Sequence, residues 1–85
     1  MANINGTSGN DSLVGTGSSD TISGLAGNDS LYGGGSADTL YGGTNDDLLY
    51  GGSGSDKLYG GDGNDTLDGG TGSETRGGGL GIGTA

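Results

Sequence analysis

The sequence predicts an all-β fold, a parallel β-solenoid in which two nine-residue units form one 18-residue turn and two short-stranded sheets face each other. Three observations predict this fold: an aliphatic residue recurs every nine positions, an aspartate stands two positions before it, and a glycine opens each unit. A fixed period of this kind is the sequence signature of a repeat architecture. The aliphatic positions are Ile4, Leu13, Ile22, Leu31, Leu40, Leu49, Leu58 and Leu67.

Each unit divides into a six-residue loop and a three-residue strand, starting with GTSGNDSLV at residue 6 and ending with a degraded GGTGSETRG at residue 69. In a triplet such as Thr39–Tyr41 the middle side chain points inward and its two neighbours point outward. So short a strand is stable only when the next turn stacks a parallel strand on it. We therefore predict two facing aliphatic ladders, one formed by alternate units and the other by the units between them.

A second period distinguishes the two sides of the predicted turn. The fifth position of the odd units is Asn10, Asn28, Asp46 or Asn64, and that of the even units is Ser19, Ala37, Ser55 or Ser73. Equivalent positions therefore recur in every second unit. We call the loops 6–11, 24–29, 42–47 and 60–65 side one, and the loops 15–20, 33–38, 51–56 and 69–74 side two.

The composition excludes several classes of protein. The chain has 85 residues, 25 of them glycine, and eleven acidic residues against Lys57 and Arg76 give a net charge of −9. A chain this polar and acidic is disordered unless something outside it supports the fold. Without cysteine or histidine there is no disulfide and no typical zinc site. The absence of a basic patch argues against nucleic acid, and no apolar run is long enough to span a membrane.

The aspartate series indicates the missing contribution. Stacked carboxylates repel one another unless a cation lies between them. Because the chain has neither His nor Cys, every available ligand atom is oxygen, which suits a hard divalent cation. The residues alone thus point to a metal of the calcium type.

The units resemble the consensus G-G-x-G-x-D-x-U-x of the RTX repeats. The resemblance covers residues 6–77 and is strongest in GGSGSDKLY at 51–59 and GGDGNDTLD at 60–68. It implies a parallel β-roll with Ca²⁺ between loops of successive turns on the same side. The ligands it implies are aspartate carboxylates and loop carbonyls, in keeping with the six to eight oxygens that Ca²⁺ takes.

Carried onto this chain, the resemblance gives eight side-chain ligands and a set of backbone ligands. Each side has four loops, so three gaps per side allow up to about six ions. Thr7, Thr16 and Leu25 depart from the second glycine of the consensus, which makes the required dihedral angles harder to reach. The side-chain candidates are Asp11, Asp20, Asp29, Asp38, Asp47, Asp56, Asp65 and Glu74. The backbone candidates are the carbonyls around Gly33, Gly35, Gly42, Thr44, Gly51, Ser53, Gly60 and Asp62.

We predict a single calcium-binding roll over residues 1–77, in phase from residue 6 and with a partial strand at 3–5. Residues 78–85 are expected to be a Gly-rich C-terminal tail that can make an end contact. Glu74 is one methylene longer than aspartate and Arg76 stands at a core position, so we expect the roll to end there.

The expected function is a secreted, extracellular structural module of bacterial origin that folds on binding Ca²⁺ and self-associates end to end. The alternative is an accessory RTX module of a secreted enzyme, toxin or adhesin that supports calcium-driven folding and export. No enzymatic activity is expected, because every carboxylate sits in the same repeat context and none is set apart as an acid or a base. The outward Tyr32, Tyr41, Tyr50 and Tyr59 suggest sugar binding or lateral assembly, but packing between strands explains them better.

Overall fold

The structure, a computed structural model, describes residues 3–70, 75–77 and 83–84, and within these residues it contains strands and no helix. Accordingly, this part of the chain has no helix that is long and apolar enough to cross a membrane. The strands are β1 (Asn3–Asn5), β2 (Ser12–Val14), β3 (Thr21–Ser23), β4 (Ser30–Tyr32), β5 (Thr39–Tyr41), β6 (Leu48–Tyr50), β7 (Lys57–Tyr59), β8 (Asp65–Asp68), β9 (Thr75–Gly77) and β10 (Gly83–Thr84).

The strands form two parallel sheets. One has the order β1-β3-β5-β7-β9 and the other has the order β10-β8-β6-β4-β2. Each strand pairs with the strand of the next unit but one, as in Ile22 opposite Leu40 and Leu31 opposite Leu49. This confirms the predicted all-β parallel solenoid, with two nine-residue units in each turn.

The core consists of one aliphatic side chain from each of the strands β1 to β8. Ile22, Leu31, Leu40, Leu49 and Leu58 are fully buried, and Leu67 is nearly so. Each such side chain stabilises the fold by roughly 1.5–3 kcal/mol. Ile4 and Leu13 pack against the core but are only partly buried, because they lie in the first strand of each sheet.

The first glycine of each unit continues the sheet into the loop. The amide of Gly24 donates to the carbonyl of Tyr41 at 2.8 Å, and the amide of Gly33 donates to that of Tyr50 at the same distance. The second glycine then reverses the chain direction with a positive φ, which is +94° at Gly43. Glycine reaches this left-handed region at little steric cost.

The C-terminal strands keep the same register. β9 pairs with β7, and β10 pairs with β8 so that Gly83 lies opposite Asp65. A short strand thus lies within residues 78–85, where we had expected a tail. Glu74 and residues 78–82 and 85 lie outside the described residues.

The tyrosines form two stacked pairs on the outer faces of the sheets. The ring centroids of Tyr32 and Tyr50 are 5.1 Å apart, and those of Tyr41 and Tyr59 are 5.2 Å apart, with nearly parallel planes. Each ring therefore covers one face of its partner, which supports packing between strands as the role of these residues.

Candidate metal centre

Six of the seven aspartates that stand two positions before a core residue are buried. Asp11, in the first loop of side one, is partly buried. An ionised carboxylate is costly to bury unless it is paired or coordinates a metal. The buried carboxylates are those of Asp20, Asp29, Asp38, Asp47, Asp56 and Asp65, none more than 4% exposed.

One oxygen of each interior carboxylate joins neighbouring turns. Oδ1 of Asp29 accepts the backbone N–H of Asp11 at 2.8 Å, and Oδ1 of Asp47 accepts that of Asp29 at 2.9 Å. Asp65 continues the series on side one, and Asp38 and Asp56 make the same bonds on side two. This series of aspartates, the aspartate ladder, therefore holds successive turns together without a metal ion.

The second carboxylate oxygen is left without a partner. A buried polar atom without a hydrogen bond costs about 1–3 kcal/mol, and more when it is charged. Because the unpaired oxygens recur with the repeat, they form one row of potential metal ligands on each side of the roll. They are the Oδ2 atoms of Asp29, Asp38, Asp47, Asp56 and Asp65.

Glycine keeps the space beside each of these oxygens open. A Cβ added at Gly24 would lie 2.6 Å from Oδ2 of Asp29 and 2.8 Å from the carbonyl oxygen of Gly42 in the next turn. On side two a Cβ at Gly33 would lie 2.6 Å from Oδ2 of Asp38 and 2.7 Å from the carbonyl oxygen of Gly51. A carboxylate from one turn and a carbonyl from the next therefore converge on a cradle that only glycine leaves free.

The buried carboxylates have raised pKa values. Burial raises the pKa of Asp47 from 3.8 to about 7, and the neighbouring carboxylates of Asp65 and Asp29 add to the rise against an opposing backbone hydrogen bond from Asp29. Burial is also the main cause of the raised pKa values of Asp29, Asp38, Asp56 and Asp65. The stack consequently favours protons or cations at these positions.

The first loop on each side differs from the rest. The amide of Thr7 donates to Oδ2 of Asp11 at 2.7 Å, and its hydroxyl donates to Oδ1 at 3.0 Å. Thr16 makes the same contacts with Asp20, at 2.6 and 3.0 Å. From the sequence alone, both threonines are only departures from the consensus glycine. The signal that could have identified them is that each stands in the first loop of its side.

Side one carries a second ladder next to the aspartates. Oδ1 of Asn10 accepts the amide of Asn28 at 2.7 Å, Oδ1 of Asn28 accepts that of Asp46 at 2.9 Å, and Oδ1 of Asp46 accepts that of Asn64 at 2.7 Å. The alternation of residue types is visible in the sequence, but the hydrogen bonds that it produces are not.

The structure places several of the predicted backbone ligands next to the aspartate carboxylates. The carbonyls of Gly33, Gly42, Gly51 and Gly60 lie beside carboxylates of the preceding turn. The amides of Thr44 and Asp62 donate to carbonyls of the preceding turn, at 3.1 and 3.0 Å. Nowhere in the described residues do three acidic side chains gather around one point. A bound ion would therefore need backbone carbonyls in addition to carboxylates, and these oxygen ligands suit Ca²⁺.

A parallel solenoid that stacks buried carboxylates against glycine-lined carbonyls defines a class of repeat protein that binds hard cations between its turns. The family model described as RTX calcium-binding nonapeptide repeat (4 copies) matches residues 5–40, 14–49 and 41–73. These matches span most of the chain, which therefore belongs to the RTX family. No curated protein and no solved structure gives a significant match. RTX repeats bind Ca²⁺ and are typical of secreted bacterial proteins.

Proposed function

We propose that this chain is an extracellular structural module that folds when it binds Ca²⁺. One observation carries the proposal: five buried Oδ2 atoms without hydrogen-bond partners recur with the repeat, each beside a glycine cradle. An array of this kind destabilises the metal-free fold at neutral pH. A divalent cation in each gap converts the same array into a stabilising contact between turns.

The stacked aspartates together with Glu74 are the proposed side-chain ligands, supplemented by the loop carbonyls around Gly42, Gly51 and Gly60. Three gaps on each side allow up to about six divalent ions, and four would already offset most of the net charge of −9. Because these ligands come from loops that are adjacent only after folding, the free energy of binding is also free energy of folding.

The same coupling supports an extracellular location. Extracellular calcium modules typically bind with dissociation constants of about 10⁻⁴–10⁻³ M. With such affinities the chain stays unfolded where calcium is scarce and folds after export. We propose a structural rather than an enzymatic role, because the five buried aspartates with an unpaired Oδ2 have the same repeat surroundings and none is set apart as an acid or a base.

Circular dichroism of the whole chain tests calcium-coupled folding. In EGTA the spectrum should be that of a disordered chain, and titration to near-millimolar Ca²⁺ should convert it to β structure. Mg²⁺, which prefers a rigid octahedral site and retains its waters, serves as the matched control and should have little effect. A spectrum that does not change across the calcium titration would contradict the proposal.

End-to-end association is the second proposed function, and the N-terminal edges of the sheets favour it. Within the described residues β1 and β2 each pair on one side only, and Ile4 and Leu13 remain partly exposed there. Open strand edges are templates for pairing with another chain. A head-to-tail contact between different ends does not close, so it propagates.

Light scattering and electron microscopy in calcium distinguish this proposal from an accessory module. Fibres that disappear on addition of EGTA, and that Ile4→Asp prevents, would support assembly. As a matched control, Asn3→Asp places the same charge at an exposed position of β1 and should leave fibres intact. A soluble monomer at high concentration would instead favour the accessory role.

A further inference from the structure

We propose that Thr7 and Thr16 take the place of calcium in the first loop of each side, so that the ion ladders begin at Asp29 and Asp38. This inference rests on the proposed calcium binding and assigns which gaps receive an ion. It concerns two residues that depart from the RTX consensus.

The contacts of Asp11 and Asp20 carry the inference. Oδ2 of Asp11 accepts the amide of Thr7 at 2.7 Å and its hydroxyl at 3.2 Å, and Oδ1 accepts the same hydroxyl at 3.0 Å. Oδ2 of Asp20 accepts the amide and hydroxyl of Thr16 at 2.6 and 3.0 Å. A hydroxyl has a single proton, which Oδ1 and Oδ2 share, so each Oδ2 accepts one amide N–H and part of a hydroxyl hydrogen bond.

The backbone explains why threonine produces this arrangement. In the later loops the second position has a positive φ, as at Gly34 (+90°) and Gly43 (+94°). A β-branched residue is a genuine outlier in that region, and neither threonine adopts it. The loop instead directs its second amide at the carboxylate, and the hydroxyl also accepts the amide two residues on, that of Gly9 or Ser18.

The later turns show what the threonines replace. With glycine at the second position, Oδ2 of Asp38 and of Asp47 has no hydrogen-bond partner. The Thr7 and Thr16 contacts supply to Asp11 and Asp20 the compensation that a cation would supply in later turns. The carboxylates of the first loops therefore have hydrogen-bond partners within the chain and need no ion. End-to-end association would then depend on the strand edges and not on ions between the two chains.

Calcium stoichiometry of the whole chain tests the inference. By equilibrium dialysis, the T7G/T16G variant should bind about two more Ca²⁺ per chain than the wild type, because one gap opens on each side. The matched control S8G/S19G adds two glycines to the same loops at exposed positions whose side chains have no hydrogen bond in the structure. The control should keep the wild-type count.

A second variant keeps the inference testable if the glycine variant fails to fold. T7V/T16V retains the β-branch and the backbone amide but removes the hydroxyl, so it should keep the wild-type count and need more calcium to fold. An unchanged count in folded T7G/T16G, or a gain of ions in T7V/T16V or S8G/S19G, would overturn the inference and leave calcium binding intact. A wild-type chain that binds no calcium would overturn both.

Discussion

The two sides of the roll have the same ladder of aspartates, but they differ in the residue that precedes each aspartate. On side one the second ladder, Asn10 to Asn64, joins successive loops through amide hydrogen bonds that need no metal. On side two the corresponding residues are serine or alanine and form no such series, and a bond from the Ser36 hydroxyl to the carbonyl of Gly17 at 2.7 Å joins the first two loops. The two sides therefore offer a cation the same carboxylates, but hydrogen bonds order the loops of side one more completely before any ion binds.

The sides also differ in charge. Side one has two additional acidic residues, Asp46 and Asp62, and both contribute to the raised pKa of Asp65, for which burial is the main cause. Preorganised loops lose less conformational entropy when an ion binds, and excess negative charge attracts the ion. We therefore expect side one to bind calcium at lower concentration than side two.

Removal of an interior carboxylate should have the largest effect. Asp47→Ala removes an expected ligand oxygen and the bond from the amide of Asp29, which we expect to cost about 3 kcal/mol or more. Its calcium midpoint in circular dichroism should rise more than that of Asp38→Ala on side two. It should also exceed that of Asp11→Ala, whose carboxylate is partly exposed and bonded to Thr7. Equal midpoints for Asp47→Ala and Asp11→Ala would contradict the stacked geometry.

Acid should partly replace calcium. The pKa of Asp47 is raised from 3.8 to about 7 in the metal-free fold, so the folded form binds this proton more tightly than the unfolded form. The resulting stabilisation is complete below pH 3.8 and is lost as the pH rises towards 7. In EGTA, circular dichroism should show β structure increasing as the pH falls through this range, and Asp47→Asn should weaken the response. Loss of structure on acidification would contradict this prediction.

The hydrogen bonds of the second ladder can be removed from side one by one substitution and introduced on side two by another. Asn28→Ala removes the acceptor for the amide of Asp46 and should cost about 1 kcal/mol. Ala37→Asn, at the equivalent position of side two, should offer the amide of Ser55 an acceptor and stabilise by a similar amount. The calcium midpoints of the two variants should move in opposite directions. Movement in the same direction would show that the ladder does not distinguish the sides.

The smallest effect is expected at Leu25. This residue has a φ of +71° and a side chain that is 49% exposed. The left-handed conformation costs a non-glycine residue roughly 1–2 kcal/mol, and the greater freedom of glycine in the unfolded chain offsets about half of that. Leu25→Gly should therefore lower the calcium midpoint slightly, with a stabilisation of about 0.5 kcal/mol. Leu25→Ala retains the Cβ and is the control, and an equal gain there would exclude backbone strain as the cause.

The fold and the aspartate ladder were predictable because both depend on spacing alone. A nine-residue period in Leu31 and Leu40, with an aspartate two positions earlier, is sufficient to place the strands and the carboxylates. The alternation of Asn28 with Ala37 likewise predicted that each turn consists of a pair of units. These features follow from the repeat and need no knowledge of loop conformation.

The remaining features depend on backbone angles and partners that the spacing does not encode. The bonds between Thr7 and Asp11 require a loop whose second residue avoids positive φ, which the consensus glycine would not indicate. The bond from the amide of Asp46 to Oδ1 of Asn28 requires two loops to stack at a particular distance. β10 could not be found from the sequence, because Gly83 and Thr84 carry no aliphatic side chain and are recognised only by their pairing with β8.

The constant strand register, in which each unit pairs with the next but one, has a consequence for how such a chain can change its length. Duplication or deletion of two consecutive units returns every later loop to its own side and leaves both ladders continuous. Duplication of a single unit keeps the aspartates in phase, since one stands in every unit, but transfers every later loop to the opposite side. Asn28 would then stack on serine or alanine instead of an acceptor in its own series. The heritable unit of growth is therefore the pair of nonapeptides.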